Sequence, residues 1–573
     1  MSTPNPGEGQ PQGGQPPLPP EPGAPQPEYL SFGEGQPLLP ATKPAGGRGR
    51  RIGLIGGAVV GLGALAAAGT WAFVALSGGG AQPAAVLPSS AVAYASIDLD
   101  PSAGQKIEAL KTLKKFPALD DALNLDADDD LRRAFFDRMQ DEGACDNLDY
   151  DKDIEPWLGD RAAVAVVDDS GDPAPVLVVQ VSDEKAAEEG LTSIAHCAAS
   201  GNADDAGDVA AEVGWKISDG WAIIAESDET AADVVADAAK ASLVDDETYA
   251  NWVDRLGNPG VVNLYLAPSA GKMLADHLDD LTGLGSGLSP MDLGVESSGN
   301  EPAAYHTDSA TDDELGEARA MLKDFAGMAA TVRFKDGGLE FEAVSDAKQT
   351  DGIYGTDGVD VISTLPEDTA AAVGMRFADG WVGTLLDQVK TTEPGVDDMI
   401  SEIESGWGLQ IPEDIETLFG DSAVLALGSD FDVNTLQQST DGSGVPIGIK
   451  IHGDTDGIES VLDKLRGNLP PDMPVLDSEV SGDMVAVGPD DDYRSELVGD
   501  GGLGKSATFR DVVPQAEDAV AVFYVNFDAN DWLTNLAESD AEAQENLEPL
   551  AGLGLSSWVD GDTTHALFRL TTN

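Results

Sequence analysis

Ser269-Ala-Gly-Lys272 sets a hydroxyl one helical turn from an amine, the Ser-x-x-Lys spacing that serine acyl-transfer chemistry uses for its nucleophile and base. That chemistry also needs a Lys-Thr-Gly strand and a Ser-x-Asn element. No Lys-Thr-Gly occurs, and Ser298-Gly299-Asn300 supplies the second only nominally, inside a Gly-rich stretch. Pro-Ser-Ala-Gly recurs at residues 101–104, where Gln105 follows and Lys106 falls one position late. A Ser that recurs at a strand-to-helix corner is explained by helix capping, so no catalytic residue is assigned.

Asp149, Asp151 and Asp153, with Asp160 further on, place hard oxygen donors at alternating positions, as a calcium loop does. Ile154 stands where such a loop needs Gly. With 103 acidic residues in 573, spacings of this kind arise by chance, and the clusters at 128–130 and 490–492 are weaker. The five histidines, His196, His277, His306, His452 and His565, are scattered and form no zinc pattern. No P-loop, Gly-x-Ser-x-Gly or dinucleotide fingerprint is present. Neither a metal nor a cofactor is assigned.

The elements around these residues are more legible than any chemistry. Residues 52–76 (IGLIGGAVVGLGALAAAGTWAFVAL) are uncharged over 25 positions, about 37 Å as a helix and enough to span a hydrocarbon core. Lys43, Arg48, Arg50 and Arg51 precede the stretch, which places the N-terminus in the cytoplasm and the bulk outside. A cleaved signal peptide fits poorly a leader of some fifty residues and so long an apolar run. Residues 48–77 are therefore read as a transmembrane anchor at the plasma membrane, with the lipid bilayer as its partner. Gly53, Gly57 and Gly61 form a small-residue stripe that permits two anchors to pack as a homodimer. Residues 1–47, rich in Pro, Gly and Gln, read as a disordered cytoplasmic tail.

Acids and bases balance, four against four, over residues 1–81, so the whole net charge of −71 lies in the exported part. A field of that sign excludes nucleic acid as a partner. One segment departs from it: residues 106–138 hold seven bases against eight acids. Internal ion pairing is the first reading of that segment. Cys145 and Cys197 are the chain's 2 cysteines, and outside the cytoplasm they are expected to pair. Closing a loop of about 50 residues stabilises a fold by about 2–4 kcal/mol.

The exported body exceeds one hydrophobic core's usual size, and it repeats itself. LPSSAVAYASIDLD (87–100) resembles LPEDTAAAVGMRFAD (365–379), and IEPWLGDRAAVAVV (154–167) resembles IETLFGDSAVLALG (415–428). PVLVVQVSDEKAAEEGLTSI (175–194) resembles PIGIKIHGDTDGIESVLDKL (446–465), and VVNLYLAPS (261–269) resembles VAVFYVNFD (520–528). Four matches in one order indicate a tandem duplication, with copies at 84–345 and 359–573 joined near 346–358. Each copy alternates strands with amphipathic helices and contains hairpins, for example MAATVRFKDGGLEFEAVSD (328–346) around a DGG turn. The expected fold class is α+β, with mainly antiparallel sheets covered by helices.

LPSSAVAYASIDLDPSAGQKIEAL (87–110), DYDKDIEPWLGDRAAV (149–164) and ISDGWAIIAES (217–227) resemble an actinobacterial family of single-pass membrane proteins of unknown function. The resemblance implies a location and an architecture, and no activity. The leading expectation is a non-enzymatic exported protein that binds a protein or envelope partner or serves as a scaffold. A cell-envelope hydrolase or transferase is the alternative, and an apolar-ligand carrier a third reading.

Overall fold

A computed structural model describes residues 82–98, 103–118, 148–169, 171–201, 213–257, 260–276, 322–347, 358–392, 395–431, 442–470, 473–536 and 540–573, with isolated positions between. The tail, the apolar stretch at 52–76 with its glycine stripe, and Cys145 lie outside these residues. No helix among the described residues is long and apolar enough to cross a membrane.

The first half of the body contributes β1 (Ala93–Asp98), β2 (Leu158–Asp169), β3 (Asp172–Val181), β4 (Gly214–Ser218), β5 (Trp221–Ala225), β6 (Val262–Leu266), β7 (Met328–Lys335) and β8 (Gly338–Asp346). The second contributes β9 (Ala371–Arg376), β10 (Ser422–Leu427), β11 (Ile447–His452), β12 (Ser478–Ser481), β13 (Met484–Val487), β14 (Ala521–Asn526), β15 (Leu550–Asp560) and β16 (Thr563–Thr572). Together they form one 16-stranded sheet in the order β12-β13-β11-β10-β9-β14-β15-β16-β8-β7-β6-β1-β2-β3-β5-β4. Read outward from its centre, the order in one half repeats the order in the other. Length and repetition argued for separate cores, yet the ladder runs unbroken through an antiparallel β8–β16 pair, with Phe341 opposite Phe568 and Glu342 opposite Leu567. An edge strand ending each half leaves unpaired backbone groups, and pairing the two edges satisfies them.

Local chemistry explains the elements. In the β7–β8 hairpin Asp336 (φ 51°) and Gly337 (φ 76°) both take positive φ, as a two-residue turn matched to strand twist requires. Helices of the first half include α1 (Ala103–Leu113), α2 (Glu184–Gly201), α3 (Glu247–Arg255) and α4 (Pro268–Asp276). Those of the second half include α5 (Thr455–Arg466) and α6 (Ala507–Val512). Asp246 caps α3 by accepting from the Thr248 and Tyr249 amides at 2.9 Å.

Alternation sends side chains to two faces. The front face carries Tyr94, Ala163, Val178, Ile223 and Tyr265 under Trp252 of α3. Its second-half counterpart is Ala372, Val424, Ala486 and Tyr524 under Phe509 and Val512 of α6. On the back face α2 lays Ala187 and Leu191 against Val179, Val181 and Ala222. There too α5 lays Ile458 and Leu462 against Ala423, Ile451 and Val485. Near the centre, Ala109 of α1 meets Phe334 and Leu339. Fully burying a side chain such as Ile458 or Leu462 contributes about 1.5–3 kcal/mol.

Candidate functional site

The residues singled out by motif do not converge. Ser269 and Lys272 sit in the first turn of α4 with both side chains exposed, and nothing among the described residues ties one to the other. Ser298 and Asn300 lie outside the described residues. The aspartates around Tyr150–Ile154, a single π-helical turn, are each engaged separately. Asp151 pairs with Arg133, Asp149 with Lys152, and Asp160 with Arg132 at 3.2 Å, while Asp153 accepts from the Asp149 amide at 2.8 Å. No group of acidic, His or Cys side chains suited to a metal occurs among the described residues. Four of the basic segment's seven bases are engaged in the same way: Arg132 and Arg133 make the pairs just named, Lys111 meets Glu108 at 3.1 Å, and Lys115 donates to the Thr572 hydroxyl at 2.7 Å.

What alternation does converge is a belt of charge on the front face, between the two apolar cores and along the β8–β16 seam. Arg333 donates through Nε to Glu340 and through Nη2 to Glu342, and through Nη1 to the Leu256 carbonyl at 3.2 Å. Glu340 and Arg333 are 6 % and 12 % exposed in these pairs. Arg569, across the seam, faces Glu340 at 3.8 Å and Asp336 at 3.6 Å, both beyond hydrogen-bond reach. Its Nε is buried and finds no acceptor among the described residues. Two guanidinium groups and two buried carboxylates thus neutralise one another, but Arg333 takes the hydrogen bonds and Arg569 is left short. In the second half the same rung of the hairpin, third from the turn, carries no such pair: Trp558 stacks on His565 with centroids 4.8 Å apart. Burial pushes the His565 imidazole below its usual range, opposed by the charge of Asp560.

Beside Arg569 the seam opens into a polar cleft of about 340 Å³, lined by Asp336, Thr508, Asp511, Asp528 and Asn573 among others. The second half also buries a lone cation. Lys450 on β11 is 1 % exposed and donates to the Thr364 hydroxyl at 2.7 Å, the Thr364 carbonyl at 3.2 Å and the Gly499 carbonyl at 2.6 Å. Burial pushes its pKa down to about 8, with Asp500 acting in the opposite direction. By ladder position its first-half counterpart is Val178, opposite Ala163 as Lys450 is opposite Val424. The Pro175-to-Pro446 alignment is therefore one residue out of register: it sets Lys450 against Val179, which packs on the back face, and not against Val178 of the front core.

The back face shows the reverse, apolar side chains that no described element covers. Leu425, Val373, Phe523 and Leu555 lie directly opposite one another on β10, β9, β14 and β15, and the row continues through Phe568 and Phe341. The four are 37–45 % exposed, and Met375 beside them is 38 % exposed. The row runs up to the ground held by α1, since Leu570, two residues along β16 from Phe568, packs into the α1 cluster. Sequence reading missed both surfaces, because a strand's own pattern does not say which face another element covers.

These features define a class: an α+β protein on one long antiparallel sheet, with a buried ionic seam and a partly exposed apolar row on one face. The chain belongs to the family described as "Protein of unknown function (DUF3352)", whose model matches residues 54–435, more than half of its length. No curated protein and no solved structure matches it.

Proposed function

We propose that this chain is an exported, membrane-anchored binding protein, built by duplication of one α+β unit, that holds a basic amphipathic helix of a partner against the second half of its sheet. The anchor reading rests on the basic flank before residues 52–76, and the duplication on the common strand order of the two halves. The observation that carries the binding reading is the exposed row of Leu425, Val373, Phe523 and Leu555 on the back face. Contiguous apolar surface of this kind marks an interaction site more often than chance exposure. Charge selects the occupant. The body's net charge of −71 disfavours an acidic partner, and the helix that covers the adjoining part of this face begins a segment bearing Lys106, Lys111, Lys114 and Lys115. Phe523→Asp is expected to abolish capture of such a helix without changing the unfolding profile; capture that survives the substitution would refute the site.

Export and the bridge between Cys145 and Cys197 are tested together in intact cells. A membrane-impermeant maleimide is expected to label the full-length protein at both cysteines only after reduction. Labelling before reduction would refute the bridge, and labelling that appears only after lysis would refute export.

A further inference from the structure

We infer that the cleft at the seam is a binding site for a small zwitterion, of the size of an amino acid or dipeptide, with Arg569 taking its carboxylate and Asp511 and Asp528 its ammonium group. The starting point is a cation whose needs the fold leaves unmet. The Arg569 side chain is 8 % exposed, its Nε has no hydrogen-bond acceptor among the described residues, and the carboxylates it faces stand at 3.6 and 3.8 Å. A guanidinium carries five N–H donors in a planar fork, and leaving buried donors unmatched is costly. A carboxylate matches that fork with two parallel bonds, which makes it the natural missing partner.

The rest of the cleft selects against a simple anion. Asp336, Asp511 and Asp528 line it, so an incoming anion without a positive charge would meet net repulsion. Of these, Asp528 already accepts from the Asn573 amide at 3.0 Å and keeps acceptor capacity to spare. Asp511 is exposed on α6 and faces the same space. No acidic group suited to a metal occurs among the described residues, so a bare cation is not the better match. A ligand with both charges satisfies both ends. The cleft, about 340 Å³, has room for a dipeptide. It lies on the front face, so this site is independent of the apolar row on the back.

The test is calorimetric titration of the full-length protein with three probes: glycylglycine, acetate and methylammonium. Glycylglycine is expected to bind about tenfold or more tighter than either single-charge probe. Arg569→Gln is expected to remove glycylglycine binding. Asp511→Asn lies on an exposed helix position and keeps the test open should the buried variant fail to fold. It is expected to weaken glycylglycine several-fold while leaving acetate binding no weaker. Acetate binding as tight as glycylglycine would overturn the proposal in favour of an anion site, and methylammonium binding as tight would reduce the cleft to its acids. Absence of glycylglycine binding at millimolar concentration, or binding indifferent to both substitutions, would also overturn it.

Discussion

Replacing Arg333 with Met is expected to destabilise the folded body by about 3–5 kcal/mol, the cost of stripping buried carboxylates of their cation. Arg333 is hydrogen-bonded to both Glu340 and Glu342, and those carboxylates are 6 % and 13 % exposed. Removing the guanidinium leaves two like charges buried close together. Arg569 supports Glu340 only from 3.8 Å and cannot take over the lost bonds. The cost comes from uncompensated charge, not from lost packing, so Glu340→Gln and Glu342→Gln in the Arg333→Met background should recover a large part of it. Urea unfolding of the three proteins at neutral pH measures both effects. A loss below about 1 kcal/mol would mean the seam is solvated and its ion pairs behave like surface pairs.

The second large effect belongs to Lys450. Its ammonium group is the hydrogen-bond donor to three oxygens beneath the second front core. Lys450→Met fits the apolar surroundings but strands the Thr364 and Gly499 carbonyls, for an expected cost of about 2–3 kcal/mol near pH 7. The pH dependence gives this its signature. Burial holds the folded pKa at about 8, below the ordinary value of 10.5, so between these the unfolded chain binds more protons than the folded one. Stability from this group therefore rises with pH across that window and is lowest, and constant, below it. The wild-type advantage over Lys450→Met should widen by about 2–3 kcal/mol from pH 8 to pH 10.5. A difference that stays flat or narrows would show that hydrogen bonding to the ammonium outweighs its desolvation.

How far these features could be read from the residues differs by kind. Asp336-Gly337 announced a hairpin because only a few residues take positive φ in succession, and the hairpin is there. Residues 328–346 were legible as a strand pair for the same reason: the turn is local and the alternation period is two. The β8–β16 contact was not legible, since Phe341 and Phe568 are far apart in sequence and nothing in alternation names a distant partner. Alternation puts Arg333, Glu340 and Glu342 on one face, but it does not say whether another element covers that face. They are buried because α3 covers that face, with its last turn accepting from Arg333 through the Leu256 carbonyl. At Ser269 the missing partner motifs and the recurrence of Pro-Ser-Ala-Gly argued for a helix start over chemistry, and Ser269 lies exposed at the start of α4.

Fluorescence anisotropy of a labelled peptide carrying residues 103–115 (AGQKIEALKTLKK), titrated with the full-length protein, tests the central reading most directly. Saturable binding is predicted that is lost in the Leu425→Asp, Phe523→Asp double variant. It is also predicted to weaken about tenfold when every lysine of the peptide becomes glutamate. Equal binding of the two peptides, binding untouched by the double variant, or saturable uptake of a fatty acid at the same row in place of the peptide would contradict it.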